Sequence, residues 1–343
     1  MVAKTVSDIG ERGLIHIISE LLGGLGNDIL TGEDDAVAIK LKDPSTLVIN
    51  TDMLVSTTDV PPQMTLFQAA RKAVVMTVSD ILVKGANPKW AVVALGISGN
   101  LPVEGDRGFK GLISGLKAGF LEYGVQYLGG DLNETKETVI SCTVFGDAPN
   151  GVIPRSGAKP GDLLICTGEM GKTGCGFSIL VNNKEPNDLE EDQRKQFIDT
   201  ILIPKTPINH SRILLENNWV TASCDSSDGI LATIREICKS SNVGAILEWN
   251  SLPIAKGVIE FCQNTNQNPI DLVFNAGEEF FHIFTIPKIK LSAIQEHFKK
   301  NVLSFYVIGK ITEQKKILLR TEDTEINLDE QTGYEHFRKK REN

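Results

Sequence analysis

The stretch Thr46-Leu47-Val48-Ile49-Asn50-Thr51-Asp52 decides how this chain folds, because it joins an apolar strand to a carboxylate. A short apolar run of this kind is typical of a buried β-strand. The run ends at Thr51-Asp52, so the sequence predicts a strand whose last residue presents a carboxylate to a cleft.

A long helix is predicted shortly after this strand, over residues 66–84. Its apolar residues recur every four positions and form an inward stripe, which consists of Ala70, Val74, Val78 and Leu82. Asp80 lies off this stripe, near the C-terminal end of the helix, where the helix macrodipole disfavours a negative charge. We therefore expect a compensating cation beside Asp80.

The alternation of strands and helices closes near residue 150, where a turn rich in Pro, Asn and Gly predicts a domain boundary. A chain of 343 residues favours two domains, which we predict at residues 1–150 and 151–343. The other strands are predicted at residues 90–96, 139–146, 163–167, 245–249, 280–286 and 305–311. The other helices are predicted at residues 13–22, 106–123, 208–217 and 230–240, and residues 182–193 are predicted to form a surface loop.

The composition excludes several classes of protein. The chain has 35 basic and 44 acidic residues, which argues against a general nucleic-acid or anionic-membrane binder, and the basic run at 338–341 is interpreted as a solvated tail. No apolar run reaches the roughly 20 residues that span a bilayer, and the N-terminus lacks the apolar core of a signal peptide, so we expect a cytoplasmic protein. The six cysteines form no Cys-x-x-Cys pair and are predicted to be mostly buried small hydrophobes.

Five short segments place aspartates at predicted strand ends or turns. They are Asp34-Asp35, Thr51-Asp52, Ser79-Asp80, Gly129-Gly130-Asp131 and Asp225-Ser226-Ser227-Asp228-Gly229. A single aspartate in a turn is commonly a solvated cap. Converging carboxylates, in contrast, are the ligands that Mg²⁺ takes when it also carries substrate phosphates. The joint pattern predicts a site for hard divalent cations and a polyphosphate.

Other catalytic patterns are weak. The turn Gly168-Glu169-Met170-Gly171-Lys172-Thr173 has the context of a phosphate-binding P-loop, but only two residues separate its first Gly from the Gly-Lys pair, where four are needed. We interpret it as a structural strand-to-helix turn. The histidines show no metal-ligand spacing, and no histidine neighbours Ser226 or Ser227, so nothing indicates covalent catalysis.

Seven motifs in order give the chain a family resemblance. They are Asp34-Asp35-Ala36, Thr51-Asp52-Met53-Leu54-Val55, Val78-Ser79-Asp80-Ile81, Gly129-Gly130-Asp131, the segment from Arg155 to Asp162, Asp225 with Ser227-Asp228-Gly229, and Gly277-Glu278. The chain resembles the thiamine-monophosphate kinase family of the aminoimidazole-ribonucleotide-synthetase-like ATP-binding superfamily. The likeness runs from Gly10-Glu11-Arg12 to Gly333–Phe337, and residues 56–61 are most similar to archaeal forms.

The resemblance implies a two-domain α+β fold whose N-terminal domains pair into a shared β-barrel in a homodimer. It also implies transfer of the γ-phosphoryl group of ATP to thiamine monophosphate, with several Mg²⁺ ions as cofactors. The implied metal ligands are Asp34, Asp35, Asp52, Asp80, Asp131 and Asp228. The implied ATP-binding residues are Thr51, Gly129, Gly130, Asp131, Arg155 and Ser227, with Arg155 as a guanidinium fork for phosphate.

The acceptor side is implied by four residues. Asp59 and Glu278 would make polar contacts, and Tyr334 and Phe337 would offer a π-face to the cationic thiazolium or the flat pyrimidine. The sequence departs from the family pattern in this region. Asp59 stands where bacterial members carry a histidine, and Glu279-Phe280-Phe281 replaces an Asp-Tyr-Glu run; a third departure is Glu33, where a glycine usually precedes the paired aspartates.

Four rival functions stay open at this stage. A purine-ligase role in the same superfamily is one, and a hydrogenase-maturation role is another, although the C-terminal cysteine of the maturation protein has no counterpart in Arg341-Glu342-Asn343. Selenophosphate synthesis is disfavoured because no cysteine precedes Cys142. A nucleotide-binding regulator without turnover is disfavoured because it would need fewer carboxylates than this chain carries.

Overall fold

Two β-sheets organise the chain in the computed structural model, which describes residues 34–40 and 46–329. The first sheet has five strands: β1 (Val37–Lys40), β2 (Thr46–Val55), β3 (Asn87–Ile97), β4 (Gln126–Glu134) and β5 (Val139–Ala148). Their spatial order is β1-β2-β5-β3-β4, and all neighbours are antiparallel except β3 and β4. The helices of this half are α1 (Ser56–Asp59), α2 (Leu66–Val83) and α3 (Phe109–Tyr123).

The second sheet has seven strands and belongs to the C-terminal half. Its strands are β6 (Leu163–Cys166), β7 (Ala222–Asp225), β8 (Gly244–Glu248), β9 (His282–Ile286), β10 (Tyr306–Thr312), β11 (Ile317–Arg320) and β12 (Glu325–Asn327), in the spatial order β12-β11-β8-β10-β6-β9-β7. Its helices are α4 (Lys172–Leu180), α5 (Glu191–Leu202), α6 (His210–Glu216), α7 (Ile230–Ser241), α8 (Val258–Thr265), α9 (Pro269–Phe274) and α10 (Leu291–Lys300), with 3₁₀ turns at Trp249–Ser251 and Lys288–Lys290.

Helix α2 is the element on which both halves meet. A capping box starts it, since the Thr65 side chain accepts from the Gln68 N–H and the Gln68 side chain accepts from the Thr65 N–H. The predicted inward stripe of α2 is confirmed, because all four of its residues are at most 4% exposed. Lys72 and Ser79, outside that stripe, are also fully buried because α2 packs against the first sheet and against β7 of the second.

Two local predictions are wrong, a strand end at Asp52 and a turn at residues 129–131. Strand β2 continues through Asp52 to Val55, so Asp52 lies inside a strand. Residues 129–131, which the sequence placed in a turn, lie inside β4. The Gly129-Gly130 pair misled the prediction, because Gly130 is required for close strand packing: a Cβ there would lie 1.7 Å from the Val93 carbonyl oxygen.

Other elements were also missed or shifted. Helix α5 begins inside the predicted loop 182–193, and α3 begins three residues later than predicted. No element was predicted from the sequence at β1, β4, β7, β11, β12, α1, α8, α9 and α10. All six cysteines are free and buried, as predicted. No helix in the described residues is both long and apolar enough to cross a membrane.

Candidate functional site

A fully buried lysine holds the first pair of aspartates. Lys84 caps the C-terminal end of α2, and its Nζ lies 2.6 Å from Asp34 Oδ1 and 2.6 Å from Asp35 Oδ2. It also donates to the Ser223 carbonyl of β7 at 2.9 Å, so this one ammonium joins both halves of the chain. The Arg155 guanidinium contacts Asp35, and the Arg155 backbone N–H donates to Asp34 Oδ2 at 2.8 Å.

These cations keep Asp35 ionised. Burial opposes ionisation of Asp35, but Lys84 and Arg155 outweigh burial and hold the pKa of Asp35 at about 2. Burial also opposes the charge on Lys84, yet Asp35 and Asp34 raise the pKa of its ammonium. Lys84 also opposes the rise in the pKa of Asp80, but it pairs directly with Asp34 and Asp35 and does not compensate Asp80.

A second set of carboxylates lies beside this pair, on three different elements. Asp52 of β2 and Asp80 of α2 both accept from the Asn50 side-chain amide, at 2.9 and 2.5 Å. Asp225 ends β7, and its Oδ2 accepts from the Ser79 hydroxyl at 3.0 Å. These elements meet because α2 packs against both sheets.

The carboxylates of the second set destabilise one another's charge. Burial, followed by the charges of Asp225 and Asp52, raises the pKa of Asp80 well above its ordinary value. Burial and the Asp35 charge raise the pKa of Asp225 to about 8, and burial raises the pKa of Asp52. Buried oxygens whose negative charge is under-compensated are what a hard divalent cation binds.

Asp225 is a candidate ligand that the sequence analysis did not assign. Ligand atoms of Asp35, Cys224 and Asp225 all lie within 4.8 Å of one another, and the Cys224 thiol donates to Asp35 Oδ1 at 3.3 Å. The available signal was its position three residues before Asp228, at the end of a short apolar strand. Asn50, Ser79 and Lys84 were also missed, because their roles depend on partners far away in sequence.

The remaining predicted ATP and metal residues are more exposed. Ser227 and Asp228 are exposed in the loop after β7, and the charge of Asp228 acts on both Asp52 and Asp225. Thr51 is exposed on β2 and shares a hydrogen bond of 2.8 Å with Thr143. Ser227 and Asp228 therefore border the second set of carboxylates on the solvent side, whereas Thr51 points to the face of the first sheet opposite to Asp52.

Asp131 is separated from the second set by the sheet itself. It lies on the exposed strand β4, whereas Asp52 lies on β2, three strands away in the order β2-β5-β3-β4. Neighbouring strands are about 4.8 Å apart, so across a flat sheet Asp131 lies about 14 Å from β2. Gly129 and Gly130, which precede it on β4, are displaced from β2 in the same way.

The two described acceptor-side residues meet at a buried cation. Lys72 of α2 is fully buried, and its ammonium donates to the Asp59 carbonyl at 2.9 Å and contacts the Glu278 carboxylate. Asp59 Oδ2 accepts from the Val55 N–H at 2.7 Å, so its carboxylate is engaged locally. Burial raises the pKa of Glu278 although Lys72 opposes this. Tyr334 and Phe337 lie outside the described residues.

The turn that resembles a P-loop is occupied by the protein itself. Gly171 adopts φ +90° at the start of α4, and its N–H donates to Glu279 Oε1 at 2.9 Å. Lys172, which would reach a phosphate in a P-loop, pairs with Glu169 at 2.5 Å. The turn therefore binds a carboxylate of the same chain, in agreement with the structural interpretation.

Glu279 gives a testable pH dependence. Burial raises its pKa from 4.5 to about 8, so between these values the unfolded chain releases a proton that the folded chain retains. The contribution of Glu279 to the free energy of unfolding is therefore fully present below pH 4.5 and is lost as the pH rises towards 8. We expect Glu279→Gln to flatten this decline and to unfold at higher urea concentration than the wild type at pH 8. Equal urea midpoints at pH 5 and pH 8 in the wild type would contradict this.

Comparisons with known proteins match both halves of the chain. The model for the N-terminal domain of AIR synthase related proteins matches residues 33–148, and that for the C-terminal domain matches residues 159–321. The thiamine-monophosphate kinase of Nitrosopumilus maritimus is 32% identical over 337 residues, which are 97% of this chain and 100% of that protein. That of Pyrococcus horikoshii is 32% identical over 89% of this chain and 90% of that protein.

The fold is also found among solved structures. The structure described as AaThiL complexed with AMPPCP and TMP superimposes with a TM-score of 0.83, at 23% identity, over 98% of this chain and 100% of that chain. The fold is thus the two-domain AIR-synthase-like fold with mixed α and β content. On the similarity to both archaeal relatives, this chain belongs to the thiamine-monophosphate kinase family of AIR synthase related proteins.

Proposed function

We infer that this chain catalyses the ATP-dependent phosphorylation of thiamine monophosphate to thiamine diphosphate. The observation that carries this inference is the 32% identity to a thiamine-monophosphate kinase over 97% of the chain. The AMPPCP and TMP named with the AaThiL structure support ATP and thiamine monophosphate as the two substrates. The reaction is a phosphotransfer in which a phosphate group is the acceptor.

We propose that the second set of carboxylates, together with Asp228, holds several Mg²⁺ ions. The donor set fits, because Asp52, Asp80 and Asp225 offer oxygen atoms whose negative charge is under-compensated by the protein. Bound Mg²⁺ supplies neutralisation of the donor and acceptor phosphates, which otherwise repel each other. Asp34 and Asp35 would border this site, with Asp35 ionised.

The chain's own residues act by orientation and charge. An acceptor phosphate monoester is already largely ionised at neutral pH, so no general base is required and no side chain needs to act as a nucleophile. Asn50 fixes the directions of Asp52 and Asp80, and Ser79 fixes Asp225. Preorganised groups of this kind cost no rearrangement during the reaction.

The role of Arg155 changes in this proposal. Its guanidinium contacts Asp35 and lies 3.5 Å from Glu236, so we assign it first to holding Asp35 and only then to phosphate.

Ser227 is proposed to contact ATP from the loop after β7. The Ser227 carbonyl accepts from the Glu278 N–H at 2.6 Å, which links the nucleotide loop to the acceptor segment. The proposed domain boundary stays at residue 150, between the two sheets.

A homodimer is proposed for two physical reasons. The open five-stranded sheet ends at β4, an exposed edge on which Tyr127, Leu128 and Leu132 are 54%, 57% and 56% exposed. Asp131 also lies far from β2 within one chain, so a second copy that pairs its sheet with this one would bring another Asp131 towards the site. Pairing of two such sheets into a shared barrel would cover both edges.

The proposed dimer predicts that positive charge placed on the edge strand β4 prevents dimer formation. Sedimentation at micromolar concentration should give a dimer for the wild type and a monomer for Leu128→Lys combined with Leu132→Lys, because two buried ammonium groups would oppose the contact. Ile289→Lys is the matched control, since Ile289 is 88% exposed in the other half of the chain. A monomeric wild type with full activity would contradict the proposal.

The acceptor site is proposed around Glu278, with Asp59 beside it and Tyr334 and Phe337 on the aromatic side. Glu278 has φ +65°, an uncommon conformation for this residue type, and Lys72 holds its carboxylate. Glu278→Gln should raise the KM for thiamine monophosphate about tenfold and leave the KM for ATP nearly unchanged. Equal rises in both constants, measured by steady-state kinetics, would remove Glu278 from the acceptor site.

The function itself is tested by ADP release with ATP and Mg²⁺ across three acceptors. Thiamine monophosphate should support turnover, and thiamine and an aminoimidazole ribonucleotide precursor should not. Chromatography should identify thiamine diphosphate as the product. Turnover only with the aminoimidazole precursor would favour the ligase alternative, and ATP binding without turnover on any acceptor would favour the regulator.

A further inference from the structure

A chain of buried hydrogen bonds leads from His282 to the carboxylate of Asp225. The Ser79 hydroxyl donates to Asp225 Oδ2 at 3.0 Å, and the Thr206 hydroxyl donates to Ser79 Oγ at 3.3 Å. His282 Nε2 lies 3.1 Å from Thr206 Oγ1, and His282 Nδ1 lies 3.2 Å from the Ser211 hydroxyl. All five residues are buried.

The Asp225 carboxylate fixes which group donates and which accepts in every one of these hydrogen bonds. In the metal-bound state that the proposed function requires, Asp225 is ionised and can only accept, so Ser79 must donate to it and must itself accept from Thr206. Thr206 has then used its only proton, so His282 Nε2–H donates to Thr206. His282 Nδ1 is left as an acceptor for the Ser211 hydroxyl. Ser79, Thr206 and His282 each use a donor and an acceptor, so these three side chains are locked in one arrangement.

The protonation state of His282 agrees with this arrangement. Burial, followed by the nearby His210, lowers the pKa of His282 well below 6.5, so the ring is neutral. A neutral imidazole has one donor nitrogen and one acceptor nitrogen, as this chain requires. A charged ring would have two donors and would conflict with the Ser211 hydroxyl as its donor.

The residues of this hydrogen-bond chain lie on separate elements of the fold. Ser79 lies on α2, Ser211 on α6, and Asp225 and His282 are paired residues on β7 and β9. Thr206 lies in the connection between α5 and α6, and its N–H donates to the Tyr123 hydroxyl at 3.1 Å. Thr206, whose hydroxyl donates to Ser79, is therefore held by contacts from both halves of the protein.

We propose that Thr206 and His282 are positioning residues, which act through Ser79 to hold the Asp225 carboxylate in the orientation that receives a divalent cation. This inference rests on the proposed function, because it takes Asp225 as a metal ligand. Groups that orient a metal ligand commonly change metal affinity about 10–100-fold when they are removed. Neither Thr206 nor His282 touches substrate or metal in this assignment.

Binding of Mn²⁺ to the full chain, measured by electron paramagnetic resonance, tests the proposal without turnover. Ser79→Ala removes the direct donor, and we expect Mn²⁺ to bind about tenfold more weakly. Thr206→Val should weaken binding in the same direction, and Thr206→Ser, which restores the hydroxyl, should recover it. Ser178→Ala is the matched control, because the buried Ser178 hydroxyl donates to Gln267, outside this chain of hydrogen bonds, and its loss should not alter Mn²⁺ binding.

Kinetics and stability separate the outcomes. The Mg²⁺ concentration for half-maximal turnover should rise in Ser79→Ala and Thr206→Val, whereas the KM for thiamine monophosphate should stay unchanged. Wild-type Mn²⁺ affinity in both variants, with weakened affinity in Asp225→Asn, would overturn the positioning role while the proposed function stands. Wild-type affinity in Asp225→Asn would overturn the metal assignment and this inference with it. Because Ser79→Ala adds no bulk, it stays informative if Thr206→Val unfolds.

Discussion

Replacement of Asp80 by asparagine is expected to lower turnover by about 10²–10³-fold, because it removes charge compensation that acts in the transition state. The fold should be retained, since the asparagine oxygen can still accept from the Asn50 amide. Metal-free protein should even become more stable, because burial and the charges of Asp225 and Asp52 oppose ionisation of Asp80. Steady-state kinetics with saturating Mg²⁺ and urea unfolding without metal measure the two effects.

Asp323→Asn is the control for the Asp80 substitution, because Asp323 is exposed in a loop and its loss should leave turnover unchanged. We expect a comparable loss of turnover for Asp228→Asn, the more exposed carboxylate of the proposed metal site, and for Asp131→Asn, which the proposed dimer would bring to that site from the second copy. If Asp80, Asp131 and Asp228 all tolerate asparagine within a few-fold of wild-type turnover, the proposed metal site is wrong.

Replacement of Lys84 by methionine is expected to destabilise the protein by about 3–5 kcal/mol, because it leaves buried carboxylates without their shared ammonium. Lys84 is fully buried and lies 2.6 Å from both Asp34 and Asp35. Arg155 still contacts Asp35 in this variant, so Asp34 loses more of its compensation. Urea unfolding at pH 7 measures the loss of stability.

Lys89→Met is the matched control for Lys84→Met. Lys89 is exposed and lies 3.7 Å from Asp147, so its removal should change stability by less than about 1 kcal/mol. In the wild type the pKa of Asp35 is lowered from 3.8 to about 2, so this stabilisation is present above pH 3.8 and is lost as the pH falls towards 2. The deficit of Lys84→Met should therefore shrink in acid, and equal losses for both lysine variants would contradict the proposed pairing.

Local patterns predicted the elements whose periodicity is strong. The four-residue spacing of Ala70, Val74, Val78 and Leu82 identified α2, and β5 was found from its alternating pattern with only its last two residues missed. The Gly129-Gly130 pair failed as a turn signal, because glycines that allow close strand packing and glycines that allow a turn look the same in a sequence. The segments before residue 34 and after residue 329 lie outside the described residues.

The sequence by itself determined the class of site. Its ordered aspartate motifs resemble one family over nearly the whole chain, and carboxylates are ligands for hard cations wherever they converge. Local spacing carries this information, because the motifs are short and their order is preserved.

Only the tertiary structure decided which carboxylates are paired and which are not. Lys84 compensates Asp34 and Asp35, whereas the charge of Asp80 is opposed by Asp225 and that of Asp225 by Asp35. The pairing of β7 with β9 placed His282 opposite Asp225, and the packing of α2 brought Ser79 to the Asp225 carboxylate. The reason is that the pKa of a buried group depends on burial and on charges within a few ångströms, and neither can be read from distances along the chain.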